Sequence, residues 1–128
     1  MAITPAQALA TIRVALGILM MLHGLARVAS DGVGDLGVVL GTHGVPVGIA
    51  FAWGMTLLEV LGTPFLIAGR YVRQLSFYFA AQLATGIVMV HFREGWFVVG
   101  NGQNGMEFSA LLIVGFLAVA LASPGARK

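Results

Sequence analysis

Residues 45–68 form an apolar run long enough to cross a lipid bilayer, with a single charged side chain, Glu59, near the middle. A membrane-spanning helix needs about 20 mostly apolar residues. A charge at the centre of such a helix costs on the order of 3 kcal/mol, so these residues usually face a bundle interior and mark function. We therefore expect the rest of the chain to supply a partner or a proton for Glu59.

The composition indicates one membrane domain, residues 1–128. The chain is 59% hydrophobic and 9% charged, with a mean hydropathy of +0.94, whereas soluble domains are about 25% charged. Its net charge of only +2, with basic residues near the ends of apolar segments, does not predict a nucleic-acid surface. We expect the lipid bilayer, and not nucleic acid, as a partner.

Four apolar segments predict helices at about 7–26, 45–68, 74–91 and 106–122. The short connection 69–73 makes the middle two an antiparallel hairpin. Residues 27–44 are rich in Gly and predict an ordered loop with at most one interfacial turn. The predicted fold is all-α, an antiparallel four-helix bundle integral to the membrane.

The basic residues predict how this bundle is oriented. One end carries Arg13, Arg70, Arg73, Arg127 and Lys128, whereas acidic residues accompany the basic residues at the other end. Because basic residues favour the cytoplasmic side, we expect both termini to be cytoplasmic. No Lys or Arg precedes Arg13, so a cleaved signal peptide is not predicted.

Small residues predict close helix packing. Gly17 and Gly24 are seven residues apart in the first segment, and Gly54 and Gly62 are eight apart in the second. Glycine at such spacing lets membrane helices approach each other closely.

Four polar residues, one from each predicted helix, form the candidate site: His23, Glu59, His91 and Glu107. Carboxylates and imidazoles in an apolar bundle can relay protons, hold quinone carbonyls by hydrogen bonds, or ligate a metal or haem. They can equally pair with one another, or with Thr and Gln residues, and only set the helix register. Both interpretations remain open, and no catalytic residue is assigned.

The residues leave the cofactor unknown: a quinone is compatible with them, and haem b bound by His23 and His91 is less favoured, because two His on different helices are a weak pattern. No HExxH spacing occurs, so no metal site is predicted. Cysteine is absent, which excludes thiol chemistry by the chain's own residues.

Several motifs, in order, resemble the DoxX family of small four-helix bacterial membrane proteins. They are LHGLARV, THGVPVGIA, LLEVLGTPFLIAGRYVR, VHFREGWF and GMEFSALLI followed by SPG. Family members commonly have Lys in place of Arg27 and a second Gly in place of Thr63. In the resemblance, Glu59, His91 and Glu107 match recurring polar positions, and His23 matches a common one.

The resemblance implies a multi-pass protein of the bacterial plasma membrane. DoxX-type proteins are associated with membrane-bound oxidoreductases, including quinone-linked ones. We therefore predict a membrane subunit or partner of a quinone-linked oxidoreductase system, with a polar pocket open to the outer face. The alternatives are a non-enzymatic assembly subunit and, less favoured, a small transporter. Other membrane or redox subunits are expected partners, and the chain can form a homo-oligomer.

Overall fold

The computed structural model describes residues 1–100 and 104–124, and these residues form five helices and no strand. The prediction of an all-α protein is therefore confirmed. The helices are α1 (Pro5–Ala29), α2 (Gly32–Thr42), α3 (Gly48–Ile67), α4 (Val72–Met89) and α5 (Glu107–Ala122). Arg127 and Lys128, on which the predicted orientation partly rests, lie outside the described residues.

Helix α2 occupies the segment that was predicted to be a loop, and that prediction is wrong. Its buried residues Val33, Gly37 and Leu40 follow the helical spacing of three and four residues. The glycines that suggest a loop instead allow close packing. A Cβ at Gly37 would lie 3.0 Å from the Ile49 Cα, and a Cβ at Gly48 would overlap the Gly37 carbonyl oxygen. Helix α2 therefore packs directly on the start of α3.

Left-handed residues separate the helices. Asp31, Val47 and Tyr71 have φ angles of 56°, 54° and 53° and directly precede α2, α3 and α4. The left-handed conformation interrupts a right-handed helix. This explains why α3 begins at Gly48 and not at Val45, where the apolar run begins.

Helices α1, α3, α4 and α5 enclose two unlike halves. Helix α4 packs along α5, while α1 contacts both α3 and α5. Near the α3–α4 hairpin, the interior is closed by large apolar side chains that include Leu66, Phe79 and Phe116, each fully buried. We call this the packed half. Toward the other end, covered by α2, lies the polar half described below.

A five-residue π-helical turn, Leu58–Gly62, interrupts α3. Pro64 follows it and has no N–H to donate to the preceding turn. The Thr63 hydroxyl donates instead to the Glu59 carbonyl, at 2.6 Å. The helix thus continues past Pro64 with a widened turn, and Glu59 lies in that turn. Such π turns occur frequently at functional sites.

The outer surface carries many exposed large apolar side chains. Leu22, Phe51, Leu61, Leu111 and Val114 are each at least half exposed. Among the described residues, two helices are long and apolar enough to cross a membrane, α1 and α3. At 1.5 Å per residue, the 16 residues of α5 span only about 24 Å.

Candidate functional site: a polar cavity beside a buried ion pair

Glu59 is completely buried and paired with Arg27. The guanidinium contacts both carboxylate oxygens: Nη1 donates to Oε2 at 2.7 Å and Nη2 to Oε1 at 3.3 Å. The Gln82 side-chain amide Nε2 also donates to Oε1. Three helices, α1, α3 and α4, therefore meet at one carboxylate. Bidentate contacts of this kind are the strong form of the Arg–carboxylate interaction.

The ion pair is supported from α3 itself. Arg27 Nη1 also donates to the Thr56 hydroxyl at 3.0 Å, and this hydroxyl donates to the Ala52 carbonyl at 2.8 Å. Thr56 lies three residues before Glu59, so both side chains are on one face of the helix. The guanidinium is thereby held in a single orientation.

Gly24 allows α1 to approach Glu59. A Cβ at this position would lie 2.8 Å from the Glu59 Cβ and 3.1 Å from Oε2. One heptad earlier, a Cβ at Gly17 would lie 2.6 Å from the Ile67 Cγ1. These two glycines form the close contact that their spacing predicts. Around Gly54, by contrast, no heavy atom of the described residues lies within 4 Å of a Cβ, so Gly54 makes no such contact.

A cavity of about 350 Å³ lies beside this ion pair. Its lining is mostly apolar and comes from all five helices and from the segment after α4. The polar side chains of His23, Arg27, Glu59, Gln82 and His91 are part of it. The cavity is of the size and composition of a small-molecule site, in which a few polar groups interrupt apolar walls.

Gln82, a residue of the cavity lining, carries a buried polar atom without a partner. Gln82 Oε1 is buried and has no hydrogen-bond partner among the described residues. The amide orientation is set by its neighbour, because a carboxylate accepts from the NH₂ group and repels the oxygen. A buried acceptor without a partner costs about 1–3 kcal/mol. An acceptor without a partner is therefore buried next to the cavity.

His91 lies in a short 3₁₀ turn, His91–Glu94, directly after α4. Its Nδ1 lies 2.8 Å from the Asn104 carbonyl oxygen. Since a carbonyl oxygen only accepts, Nδ1 carries a proton in this contact, and the second ring nitrogen is an acceptor when the ring is neutral. The contact joins the end of α4 to the segment that covers the cavity.

Glu107 lies apart from the other three predicted site residues and is not part of the cavity lining. Its Oε1 accepts from the Val98 backbone N–H at 2.9 Å, and its own N–H donates to the Trp96 carbonyl at 3.0 Å. It thus fastens the segment that brings Val98 and Gly105 over the cavity. As an acidic residue in the first turn of α5, it is also favoured by the helix dipole.

The sequence interpretation did not identify Arg27 as the partner of Glu59. Arg27 falls at the start of the predicted loop 27–44, whereas α1 continues to Ala29. The available signal was the spacing of His23 and Arg27, four residues apart on one helical face. From the sequence, Gln residues such as Gln82 are expected only to set the helix register.

The structure also bears on the cofactor alternatives. His23 and His91, proposed as haem ligands, line the same cavity. Among the described residues, no three His, Asp or Glu side chains cluster as a metal site.

These features define a small helical protein with membrane-type helices around a polar cavity. A DoxX family model matches residues 8–92. The chain therefore belongs to the DoxX family, as the sequence motifs predict. The matched region contains Arg27, Glu59, Gln82 and His91, and ends before α5. The family and the two long apolar helices together indicate a membrane protein.

Comparison with curated proteins and with solved structures gave no match.

Proposed function

We propose that α1, α3, α4 and α5 cross the bacterial plasma membrane as an antiparallel bundle, with both termini cytoplasmic. The exposed apolar side chains support this arrangement, because monomeric soluble proteins rarely expose large apolar patches. Arg13, Arg70 and Arg73 lie at the hairpin end of the bundle, which the positive-inside rule assigns to the cytoplasm. The polar cavity then faces the outer side.

The protein in this proposal is the membrane subunit of a quinone-linked electron-transfer system, and its cavity receives the quinone headgroup. The observation that carries the proposal is a mostly apolar cavity of about 350 Å³ whose polar lining includes the buried Arg27–Glu59 pair and Gln82. A quinone ring is apolar on its faces and polar at its two oxygens, which matches mostly apolar walls with a few polar groups.

The polar groups of the lining match both redox forms of such a ring. The Arg27 guanidinium donates, as the carbonyl oxygens of an oxidised quinone require. Gln82 Oε1 accepts, as the hydroxyl groups of the reduced form require, and a neutral His91 adds a second acceptor. A bound quinone supplies electron and proton transfer, and this chain's residues bind and orient the ring and exclude water from it.

Glu59 orients the other groups in this proposal. Its carboxylate is completely buried, and it holds the Arg27 guanidinium and the Gln82 amide by hydrogen bonds. Glu59→Gln removes the charge that holds both. We expect this variant to bind less quinone and to lower quinone-dependent redox activity of the membranes at least about tenfold, the loss of one charged hydrogen bond.

The test is solvent extraction of the purified protein, followed by chromatography of the released quinone, together with redox assays on membranes. Glu107→Gln is the matched control, because it makes the same change at a carboxylate outside the cavity lining. An extract without quinone, together with unchanged redox activity for Glu59→Gln, would overturn the proposal. An absorption spectrum of the same sample shows directly whether haem or flavin is bound.

A non-enzymatic assembly subunit is the second candidate, favoured by one observation. Glu59 already has two side-chain partners from other helices, so the cluster can serve only to set helix register. In that case Glu59→Gln leaves redox activity unchanged, and removal of a partner subunit lowers the amount of this protein in the membrane.

A further inference from the structure

A second depression lies on the outer surface, between α3 and α4. It is an open, mostly apolar groove lined by Ala50, Phe51, Gly54, Met55, Leu58 and Tyr78. We call it the α3–α4 groove. Ala50 and Gly54 are one helical turn apart and exposed, so the groove opens on the face that the bilayer covers in the proposed arrangement.

The groove adjoins the cavity. Met55 is part of both linings. Glu59 of the cavity directly follows Leu58 of the groove, and Gln82 of the cavity lies one turn after Tyr78 of the groove. The flexible thioether side chain of Met55 therefore separates a membrane-facing groove from a polar interior, and Met adapts readily to different neighbours.

The groove arises from the way α3 packs. Its last turn, Thr63–Ile67, contacts α4 beside the hairpin, whereas its first ten residues pack on α2 and α1. The two helices of the hairpin therefore diverge away from their connection. This opening is built into the fold, because α2 holds the start of α3 through the backbone contact of Gly37 with Gly48.

We propose that the α3–α4 groove holds the isoprenoid tail of the quinone whose headgroup occupies the cavity, and that the quinone enters laterally from the bilayer past Met55. This inference rests on the proposed function. A cavity of about 350 Å³ is at the small end of ligand sites, so it holds a ring and leaves a long tail outside. The groove offers that tail an apolar surface on the other side of Met55 from the cavity.

Two glycines make a direct test possible. Among the described residues, no heavy atom lies within 4 Å of a Cβ at Gly54, in the groove, or at Gly86, in the cavity lining. Gly54→Phe therefore fills the groove, and Gly86→Leu fills the cavity, without a backbone clash. Gly34→Leu is the control, because Gly34 is equally open and lies on α2 outside both linings.

The experiment measures quinone binding to the protein in lipid nanodiscs by quenching of tryptophan fluorescence. Two ligands share the ubiquinone headgroup, one without a tail and one with a decyl tail. We expect Gly54→Phe to weaken binding of the tailed ligand about threefold, through the packing contacts that the tail loses when it moves from the groove into lipid, and to spare the tail-less ligand. Gly86→Leu should weaken both ligands, and Gly34→Leu neither.

Ala50→Phe is a second variant that fills the groove, in case Gly54→Phe does not fold, and circular dichroism verifies folding. If the wild-type protein binds neither ligand, the proposed function fails. If it binds both and neither filled-groove variant weakens the tailed ligand, only the tail site is overturned. Equal weakening of both ligands by Gly54→Phe also overturns it, because the groove would then act on the headgroup alone.

Discussion

The two halves of the bundle are built from the same four helices but are filled in opposite ways. In the packed half, Phe79 and Phe116 are fully buried, with ring centroids 5.5 Å apart. One or two turns away along the same helices, the polar half contains a cavity and a buried ion pair. The packed half resembles the interior of an ordinary helical protein.

This difference shows where the sequence departs from what stability alone requires. Replacing a buried ion pair by well-packed apolar residues is often neutral or stabilising. A bundle selected only for stability would therefore extend the packing of Leu66 and Phe116 through both halves. The polar half instead retains an empty space, a charge pair and an unpaired acceptor, as the proposed quinone site requires.

The largest expected effect comes from breaking the ion pair on one side. Arg27→Leu leaves the Glu59 carboxylate buried without its charge partner, and we expect a loss of about 3–5 kcal/mol in the free energy of unfolding. Denaturant titration of the purified protein in detergent micelles, followed by circular dichroism, measures this loss.

The double variant Arg27→Leu with Glu59→Leu is the control for this prediction. It removes both charges, and we expect it to recover most of the lost stability, because no buried charge remains unpaired. A loss below about 1 kcal/mol for Arg27→Leu alone would contradict the buried ion pair, since that result is expected of an exposed pair.

Leu66 and Leu83 should differ in the stability that is lost when each is shortened to Ala. Leu66→Ala removes a fully buried side chain from the packed half and should cost about 2–5 kcal/mol. Leu83→Ala changes a partly buried residue that lies between the cavity and this core, and should cost less, because less of its side chain is buried. The same unfolding titration measures both variants. Equal losses would mean that the polar half is as tightly packed as the other.

Much of the helical fold could be predicted from the sequence, because long apolar segments and the short connection at Gly69 leave few alternatives. Helix α2 could not, since its glycines resemble those of a loop. In fact Gly37 is required there for close packing on Ile49. A glycine that allows helices to touch and a glycine that breaks a helix look alike until the packing partner is known.

The candidate site could be predicted only in part. A single acidic residue in an apolar run identifies Glu59, because burying an unpaired charge is so unfavourable. Its partner Arg27 was missed because the end of α1 extends beyond the apolar segment. Glu107 was included because it is polar and near a helix end, but its contact with the Val98 N–H depends on loop geometry that no sequence pattern contains.

Gly24 contacts Glu59 of the ion pair, whereas Gly86 lies in the cavity lining. Gly24→Ala places a methyl group 2.8 Å from the Glu59 Cβ and should cost about 1–3 kcal/mol through overpacking. Gly86→Ala places the same group in the cavity and should be neutral or stabilising by about 0.5–1 kcal/mol, the helix preference of Ala over Gly. Thermal unfolding of both variants separates them. A stable Gly24→Ala protein would show that α1 can move away from α3.

The smallest expected effect is at Glu107, which fastens the segment over the polar half. Glu107→Ala removes the acceptor of the Val98 N–H and should cost about 1 kcal/mol, the worth of one hydrogen bond. Hydrogen exchange at the Val98 amide should accelerate about fivefold, which is the same free energy expressed as a local opening. Glu107→Gln keeps an acceptor oxygen and should restore most of the protection. Unchanged exchange in Glu107→Ala would mean that the backbone hydrogen bonds to the Trp96 and Phe97 carbonyls hold the segment without the Glu107 side chain. The segment over the polar half would then not depend on the one side-chain contact that distinguishes it from the packed half.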